Sequence, residues 1–463
     1  MLKNILKQII SDKLDWIKYK KKTMPLSSFQ HNITQSNRNF YEALKKNHPA
    51  FIFEFKKKSP SLGELNNFHP EFVANIYKKY ASAISVLTDE KYFNGKFEFI
   101  PIIKNIAIHQ PILCKDFFID PYQIYLARYY QADAILLILS ILTDFQYNFL
   151  RNLAISLKMN VLTEIKNQEE LNRAIDLNAY IIGINNRNLS DFSISITNTC
   201  KLASKIPKNI ISISESGITN YHQIRKLQSI VHGFLIGSSL MKSSNLENTI
   251  RKIIIGRNKI CGLTNLKDLK ISKKYGAIYA GFIFCKSSPR YIDPDVATNI
   301  SHFVHIKYIG VFCDENIEVI INIIKKIQFY AIQLHGNENQ KYINSLKKKI
   351  SPSIKIWKAI PWTKIHVDKK FSFKNINKYV CDNVKSIQTT PFNWSLLKNK
   401  NLKDIFLAGG LNIYNCILAS QIGCFGLDFN SGLEISPGIK DKSKIKLLFR
   451  SLRQHTIIPQ TKF

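Results

Sequence analysis

The sequence predicts an α/β protein built from two tandem (β/α)8 barrels, the TIM-barrel architecture, each with a phosphate site. Twice, an apolar run that ends in glycine is followed by a second one that ends in glycine and serine: Ile210–Gly217 with Phe234–Ser238, and Ile405–Gly410 with Phe425–Gly432. In such barrels the loops after strands seven and eight hold phosphate, because glycine lets backbone N–H groups approach the anion. Length agrees: 463 residues divide into parts 1–255 and 256–463, and one barrel needs about 200–250 residues.

Short β-branched runs alternate with longer helical patterns along the chain, which is typical of a parallel sheet. The first part has predicted strands at Phe51–Phe55, Ile84–Leu87, Ile112–Cys114, Ala134–Leu139, Val161–Thr163, Tyr180–Ile184, Ile210–Ser214 and Gly233–Ile236. The second has them at Lys259–Cys261, Tyr279–Phe284, Lys307–Val311, Ala331–Leu334, Lys355–Ala359, Tyr379–Cys381, Ile405–Ala408 and Phe425–Leu427. The boundary falls near Gly256, with almost no linker. Before the first strand, apolar residues at positions 2, 5, 6, 9, 10, 14, 16 and 17 predict an amphipathic helix that caps or flanks the first barrel.

The chain is strongly basic, with 66 Lys and Arg against 33 Asp and Glu and a net charge of +33. Such a charge is found in nucleic-acid-binding proteins, whose affinity falls steeply with salt and needs no catalysis. Here the excess is mostly lysine and is spread over the chain, and runs such as Lys18–Lys22 and Lys347–Lys349 lack aromatic residues at stacking intervals. We therefore expect solvated surface lysines that attract anionic substrates, and no nucleic-acid partner.

The spacing of the cysteines and the hydropathy of the chain indicate in which cellular compartment the protein is found. The eight cysteines are scattered, with no CxxC and no His/Cys cluster at metal spacing, which indicates reduced thiols in a cytoplasmic protein. Asp12 and Asp15 argue against a transit peptide, and no uncharged segment suits a secretion signal. The longest apolar stretch, Ala134–Leu142, is too short to span a membrane. No motif for a metal, nicotinamide or flavin is present, so we expect no cofactor, no metal and no membrane partner.

Polar side chains stand where the predicted strands of the first part end: Glu54, Lys56, Lys115, Glu164, Asn185, Glu215 and Ser216. Charges that interrupt buried strands are costly unless they are paired or functional. Chemistry in (β/α)8 barrels takes place at the C-terminal strand ends. Three glutamates and two lysines on that face therefore predict an active site.

Motifs around these residues resemble indole-3-glycerol-phosphate synthase over essentially residues 1–255: Phe53–Gly63, Leu113–Asp116, Leu162–Glu164, Gly183–Arg187, Ser214–Gly217 and Gly237–Ser238. The resemblance implies closure of a pyrrole ring from a carboxyphenylamino-deoxyribulose phosphate, with loss of carbon dioxide and water. It implies that Lys115 is the first general acid, that Lys56 holds the substrate carboxylate or shares the acid role, and that Glu164 serves in the dehydration. Which lysine donates the proton stays open.

The same resemblance assigns the remaining polar residues of the first part. Glu54 is implied to pair with Lys56 and set its protonation, and Asn185 and Glu215 to orient the substrate. Arg187 and Ser216 are implied to bind the substrate, and the phosphate is implied to lie against Ser59, Gly217, Gly237 and Ser238. We expect a dense cationic, partly dry site to lower the pKa of the donor lysine.

The strand ends of the second part carry a different set: Cys261 in KICGLT, Arg290 in SSPR, His335 in QLHG, Asp382 in YVCDN, Gly409 and Gly410 in AGG, and Asp428, Asn430 and Ser431 in DFNSG, followed by PGIKD. Alone, Cys261 would indicate only a small buried residue. The set resembles phosphoribosylanthranilate isomerase across roughly residues 256–453. It implies an Amadori rearrangement with Asp382 as acid for the ring oxygen and Cys261 as base, whose thiolate must be favoured locally because a free cysteine has a pKa of about 8.5.

The isomerase resemblance also implies the binding residues. Arg290 is implied to grip the anthranilate carboxylate as a bidentate fork, with His335 and Asp428 also contacting substrate. Gly409, Gly410, Asn430 and Ser431 are implied to cradle the phosphate. The two activities are consecutive steps of tryptophan biosynthesis, and the whole chain resembles the bacterial fusion with the synthase first. We expect a monomer of two domains that acts on small phosphorylated substrates.

One stretch departs from the isomerase pattern. After Asp382 the family has a glycine-rich GGTG-like loop and then Phe-Asp-Trp, whereas here residues 383–394 contain no glycine and Asn393 replaces the acid. Because this loop normally closes over the substrate, the change predicts a slower isomerase. It also leaves open that the second barrel is a scaffold that has lost its activity.

Overall fold

The chain divides into two compact units, Met1–Ile250 and Arg251–Phe463. In this computed structural model the described residues are 5–188, 193–361, 373–382, 394–397 and 401–455. Across these residues the backbone forms two closed barrels, each of eight parallel strands that pair in chain order. The predicted fold class is confirmed.

Every predicted strand is present, with ends that differ from the prediction by up to two residues. The first barrel consists of β1 (Ala50–Phe55), β2 (Ala83–Leu87), β3 (Ile112–Lys115), β4 (Ala134–Ile138), β5 (Asn160–Ile165), β6 (Ile181–Asn185), β7 (Ile211–Glu215) and β8 (Gly233–Ile236). The second consists of β9 (Asn258–Ile260), β10 (Tyr279–Ile283), β11 (Lys307–Phe312), β12 (Phe329–Leu334), β13 (Lys355–Pro361), β14 (Lys378–Asp382), β15 (Ile405–Leu407) and β16 (Gly426–Phe429). Within the described ranges, two short hairpins lie outside the barrels, Lys58–Ser59 with Gly63–Glu64 and Glu434–Ser436 with Ile439–Lys440.

Helices follow the strands in the alternation that the sequence predicts. Those of the first part are α1 (Ile5–Thr23), α2 (Phe40–Lys45), α3 (Pro70–Tyr77), α4 (Glu90–Phe93), α5 (Phe99–Ile106), α6 (Pro121–Tyr129), α7 (Asp144–Ser156), α8 (Gln168–Asp176), α9 (Thr197–Ala203), α10 (Tyr221–Leu227), α11 (Ser238–Met241) and α12 (Leu246–Ile254). The rest are α13 (Leu266–Tyr275), α14 (Pro294–Ser301), α15 (Ile317–Lys326), α16 (Gln340–Lys349), α17 (Cys416–Gln421) and α18 (Lys442–Gln454). Short 3-10 turns occur at Leu26–Ser28, Gln30–Asn32, Leu139–Ile141 and Trp394–Leu397. Side-chain caps such as Asn167 and Asn265, which accept from the third residue beyond them, fix where several helices begin.

The period of two along each strand decides which residues reach the active-site end. In the first barrel, alternate residues such as Ile52, Leu113, Leu162 and Ile213 form one apolar core cluster. Two positions further along the same strands stand Glu54, Lys115, Glu164 and Glu215, so these side chains face the same interior as the core. The charged residues are thus the last layer of the barrel filling, at its C-terminal mouth.

The predicted N-terminal helix is present as α1. Its buried residues Ile9, Lys13 and Ile17 recur every four positions and form one stripe. Ile9 belongs to the core cluster of the first barrel. The Nζ of Lys13, which is only 4% exposed, lies 2.6 Å from the Asp89 carboxylate and 2.7 Å from that of Asp116. The Lys13 ammonium group, which lies within the apolar stripe, therefore forms ion pairs that hold α1 against the loops after β2 and β3.

We expect Lys13→Ala to lower the free energy of unfolding of the first barrel by about 3 kcal/mol, because two buried carboxylates lose their counterion. Urea unfolding followed through the fluorescence of Trp16, the only tryptophan before residue 250, measures this.

The matched control is Lys18→Ala on the same helix. The Lys18 side chain is 77% exposed and lies 3.7 Å from Asp15, an exposed pair that contributes about 0–1 kcal/mol. Equal losses in the two variants would contradict the anchoring role of Lys13.

Candidate active sites

The first barrel has a cavity of about 550 Å³ at its C-terminal mouth. All twelve residues predicted for this site line it: Glu54, Lys56, Ser59, Lys115, Glu164, Asn185, Arg187, Glu215, Ser216, Gly217, Gly237 and Ser238. Helix α1 supplies part of the wall through Ile5, Leu6 and Ile9. The cavity thus combines an apolar side with a layer of charged side chains.

Lys115 connects the carboxylates of that layer. Its Nζ lies 3.2 Å from Oε2 of Glu215 and 3.5 Å from Oε2 of Glu164. Asn185 donates through Nδ2 to Oε1 of Glu164 at 2.9 Å, and its own Oδ1 accepts from the backbone N–H of Arg187 at 2.9 Å. Residues from β3, β5, β6 and β7 are therefore joined in one hydrogen-bonded network.

The pKa values in this network are set by burial and by the neighbouring charges. Burial raises the pKa of Glu215, the charge of Lys115 lowers it and that of Glu164 raises it, and the result is about 7. Burial alone would lower the pKa of Lys115, but the charges of Glu215, Glu164 and Glu54 outweigh it and raise the pKa. The expectation that cationic surroundings lower the pKa of this lysine is wrong, since its neighbours are mostly anions.

Lys56 and Glu54 form a second pair beside the first network. The Lys56 Nζ lies 2.8 Å from Oε1 of Glu54, as the predicted pairing requires. Burial works to raise the pKa of Glu54, but the charges of Lys56 and Lys115 prevail and the pKa is lowered. Glu54 is therefore held as a carboxylate.

Two glycines make room for the carboxylates. A Cβ at Gly183 would lie 1.9 Å from Oε1 of Glu215, and a Cβ at Gly237 would lie 2.3 Å from Oε1 of Glu54. Any side chain at either position would displace a glutamate of the site. Gly237 thus serves the acid–base layer as well as the predicted phosphate end.

At the predicted phosphate end, the buried hydroxyl of Ser59 has no hydrogen-bond partner among the described residues. Gly217, Gly237 and Ser238 line the cavity together with it. Arg187 donates to the Ser61 hydroxyl at 3.0 Å, which holds its guanidinium over the short hairpin at Lys58–Ser59 and Gly63–Glu64.

In the second barrel, a buried lysine that was not predicted stands at the centre of the site. Lys259, which has no exposed surface, donates through Nζ to Asp428 at 2.8 Å, to Gln333 at 2.8 Å and to the sulfur of Cys261 at 3.3 Å. Burial raises the pKa of the Cys261 thiol, and although Lys259 lowers it, the net pKa is raised. The expectation that the surroundings favour the Cys261 thiolate is therefore wrong.

The predicted residues His335 and Asp382 continue from this centre. The amide Nε2 of Gln333 lies 3.0 Å from Nδ1 of His335, whose Nε2 is 3.7 Å from Oδ2 of Asp382. Burial lowers the pKa of His335 even though the Asp382 charge opposes it, so a neutral imidazole is favoured. Contacts through Lys259 and Gln333 thus connect Cys261, Asp428, His335 and Asp382.

Arg290 is held by a residue that the sequence analysis missed. Its guanidinium forms a fork on Glu434, with Nε and Nη2 at 3.0 and 2.8 Å from Oε2. Glu434 also accepts from Nζ of Lys440 at 2.7 Å, and Lys440 donates to Oδ1 of Asn430 at 2.9 Å. The hairpin after β16 therefore links Arg290 to the predicted phosphate end.

The other predicted phosphate residues lie in the loops after β15 and β16. Gly409 and Gly410 have φ of 79° and 66°, left-handed values that favour glycine. A bridge between Asn412 and Gly432 joins the two loops next to Ser431. The altered loop at residues 383–393 lies outside the described residues.

Some partners could have been found from the sequence. Lys259 is a charge inside a buried strand, and Lys440 belongs to the PGIKD motif, so the rule that flagged Lys115 applied to Lys259 as well. Lys13 and Glu434 gave no such signal, because their partners come from distant segments.

The described parts of the chain do not bring three His, Cys, Asp or Glu side chains together in a way that could hold a metal ion. Among those same residues, none of the helices combines the length and apolar character that crossing a bilayer requires.

Fold and sites together define a two-barrel enzyme, with acid–base residues at the mouth of each barrel. Residues 6–253 match the family model for Indole-3-glycerol phosphate synthase, and residues 258–451 match that for N-(5'phosphoribosyl)anthranilate (PRA) isomerase. The chain belongs to the bifunctional family that joins these two enzymes in one polypeptide. Its second barrel isomerises phosphoribosylanthranilate to the carboxyphenylamino-deoxyribulose phosphate, and its first barrel converts that compound to indole-3-glycerol phosphate, carbon dioxide and water.

Relatives described as tryptophan biosynthesis protein TrpCF align along almost the whole chain. The protein of Buchnera aphidicola subsp. Schlechtendalia chinensis is 67% identical over 461 residues, which is 99% of each chain. That of Buchnera aphidicola subsp. Baizongia pistaciae is 59% identical over 457 residues, 98% of this chain and 97% of the relative. That of Salmonella typhi is 47% identical over 455 residues, 98% of this chain and 100% of the relative.

We expect Gly183→Ala to reduce synthase kcat/KM by about 100-fold, the cost of misplacing a catalytic group by about 1 Å. The added methyl group would collide with Glu215. Isomerase activity, measured on the same preparation, is the internal control and should be unchanged. A variant with normal synthase activity would show that Glu215 need not occupy its observed position.

Glu215 should titrate near neutral pH. Its pKa in the folded protein, about 7, exceeds its ordinary value of 4.5, so the neutral form is favoured by folding. Its contribution to stability is therefore complete below about 4.5 and is lost as the pH rises through about 7. Infrared difference spectra of the parent protein against Glu215→Gln should show a protonated carboxyl band that disappears around pH 7. A band that disappears near 4.5 would contradict this.

Proposed function

We propose that particular residues at the mouth of each barrel carry out the two consecutive steps of tryptophan biosynthesis. We also propose that the boundary between the two domains lies between residues 255 and 256. The observation that carries the proposal is the layer of Glu54, Lys115, Glu164 and Glu215 at one barrel mouth, because ring closure needs several proton transfers at one place.

In the first barrel, Lys115 is the acid that protonates the ketone as the aromatic carbon attacks. Its carboxylate neighbours keep it protonated until the substrate arrives. Lys56, paired with Glu54 at 2.8 Å, holds the substrate carboxylate. Carbon dioxide leaves from the aromatic carbon that attacked, and its bonding electron pair restores the aromatic ring. Glu164, which Asn185 orients, then removes a proton from the new ring while Lys56 shares the acid role and protonates the hydroxyl, which leaves as water.

The phosphate of this substrate binds at Ser59, Gly217, Gly237 and Ser238. The unpartnered Ser59 hydroxyl supplies a donor that is already desolvated. Arg187 and Ser216 line the same cavity and contact the rest of the substrate. The apolar wall from α1 receives the aromatic ring, because apolar surface is the natural neighbour for it.

In the second barrel, Asp382 protonates the ring oxygen and the furanose opens to a protonated imine. Cys261 then takes the proton from the second sugar carbon, and the resulting enol-amine becomes the ketone. His335, 3.7 Å from Asp382, contacts the substrate. Asp428 reaches the substrate from the layer below through Oδ1, the oxygen that has no hydrogen-bond partner among the described residues. Arg290 binds the anthranilate carboxylate, and Gly409, Gly410, Asn430 and Ser431 bind the phosphate.

We further propose a cytoplasmic monomer that binds small phosphorylated substrates and no nucleic acid. All eight cysteines are free thiols, which fits a reducing compartment. Each site draws its residues from one unit of a single chain, so a second copy is not needed to complete it.

The two activities should separate by mutation. Glu164→Gln should reduce indole-3-glycerol phosphate formation by a factor of about 100 or more, because an acid–base group is lost, while isomerisation continues. Cys261→Ala should do the reverse and leave ring closure of added intermediate intact. Both are measured by steady-state assays with phosphoribosylanthranilate and with the purified intermediate.

Each variant serves as the matched control of the other. Loss of both activities in a folded single variant would rule out two independent sites. Isomerase activity that persists in the Cys261→Ala variant would rule out Cys261 as the base.

A further inference from the structure

The polar centre of the second barrel lies one layer below the catalytic mouth. Lys259 and Asp428 are directly paired across β9 and β16, so both side chains enter the same interior layer. There Asp428 and Gln333 each accept from the Lys259 ammonium at 2.8 Å. Lys259 is entirely buried, so it cannot reach a substrate at the mouth.

The third neighbour of this ammonium is the sulfur of Cys261, two residues further along the same strand and 3.3 Å away. The close contact between the Lys259 ammonium and the Cys261 sulfur depends on Gly281 of the adjacent strand. A Cβ at Gly281 would lie 2.7 Å from the Cys261 sulfur and 2.9 Å from Cε of Lys259. The barrel therefore keeps the space beside the two side chains free. The Lys259 ammonium therefore faces the Cys261 thiol as well as the Asp428 carboxylate that neutralises it.

We propose that Lys259 is a positioning residue for the isomerase, whose ammonium group, held by Asp428 and Gln333, stabilises the thiolate of Cys261. The inference rests on the proposed role of Cys261 as base. The thiol first releases its proton to solvent, the thiolate then accepts the proton from the sugar carbon, and Lys259 stays protonated throughout.

Other charged groups around Cys261 also affect the equilibrium between its thiol and thiolate forms. Lys440, from the hairpin after β16, favours the thiolate, and Asp428 opposes it. The apolar side chains Ile283 and Val311, from β10 and β11, pack with Cys261 in one cluster. Burial therefore disfavours the charged sulfur, and Lys259 is the nearest cation that counteracts burial.

The test is the pH dependence of Cys261 alkylation by iodoacetamide, followed by mass spectrometry of the peptide that contains it, in the full-length protein. In Lys259→Met the midpoint should move upward by roughly 1–3 units, the usual effect of one close opposite charge. Isomerase kcat at neutral pH should fall at least about 10-fold and recover as the pH is raised, with little change in KM. A purely structural defect would not recover with pH.

The control is Lys358→Met. Lys358 is also a buried barrel lysine, 4% exposed and 2.8 Å from Glu338, but it has no hydrogen bond to Cys261. Its removal should leave the alkylation midpoint unchanged. The double variant Lys259→Met with Asp428→Asn avoids an unpaired carboxylate and should keep the raised midpoint if the single variant folds poorly.

The single variant Asp428→Asn should shift the alkylation midpoint in the opposite direction. It removes the charge that opposes the thiolate and leaves Lys259 in place, so the midpoint should fall. Unchanged midpoints in the variants of Lys259 and Asp428 would overturn the proposal. Failure of the proposed base is distinguishable, because Cys261→Ala would then retain isomerase activity whatever the alkylation shows.

Discussion

Mutual neutralisation of buried charges is the constraint on which both sites depend. Parallel barrel strands are buried on both faces, so an ionised side chain at their ends loses most of its hydration. In the first barrel, Lys115 compensates for this loss by contacting Glu164 and Glu215. The absence of side chains at Gly183 and Gly237 leaves room for the carboxylates of Glu215 and Glu54. The groups that we propose for catalysis are here also the structural partners of one another.

The two barrels satisfy this constraint at different depths. The first has an apolar filling up to the mouth and places its ammonium and carboxylate groups in the last layer. The second already contains the pair of Lys259 and Asp428 below that layer, and this pair contacts the Cys261 thiol directly and the His335 imidazole through Gln333. Ring closure with several proton transfers needs many ionised groups at the surface of the cavity. Proton abstraction from carbon needs one base with a controlled environment.

The sequence allowed the strands, the barrel count and the strand-end residues to be predicted, because the period of two and the glycine endings are local signals. Glu54 and Lys115 were found in this way. The direction of the Lys115 pKa was not, since it depends on carboxylates that arrive from strands far away in the chain. Contacts such as that of Lys13 with Asp116 depend on how a helix docks, which spacing alone does not determine.

The cavity of the first barrel is lined by residues far apart in the first unit, from Ile5 to Lys242. A ribosome must synthesise the first compact unit before the ring-closing site exists, but the site draws no residue from the second unit. Domains fold in the order in which they are synthesised. The half that consumes the carboxyphenylamino intermediate is therefore finished while the half that produces it is still being translated. Each new molecule can remove this compound before it can make any.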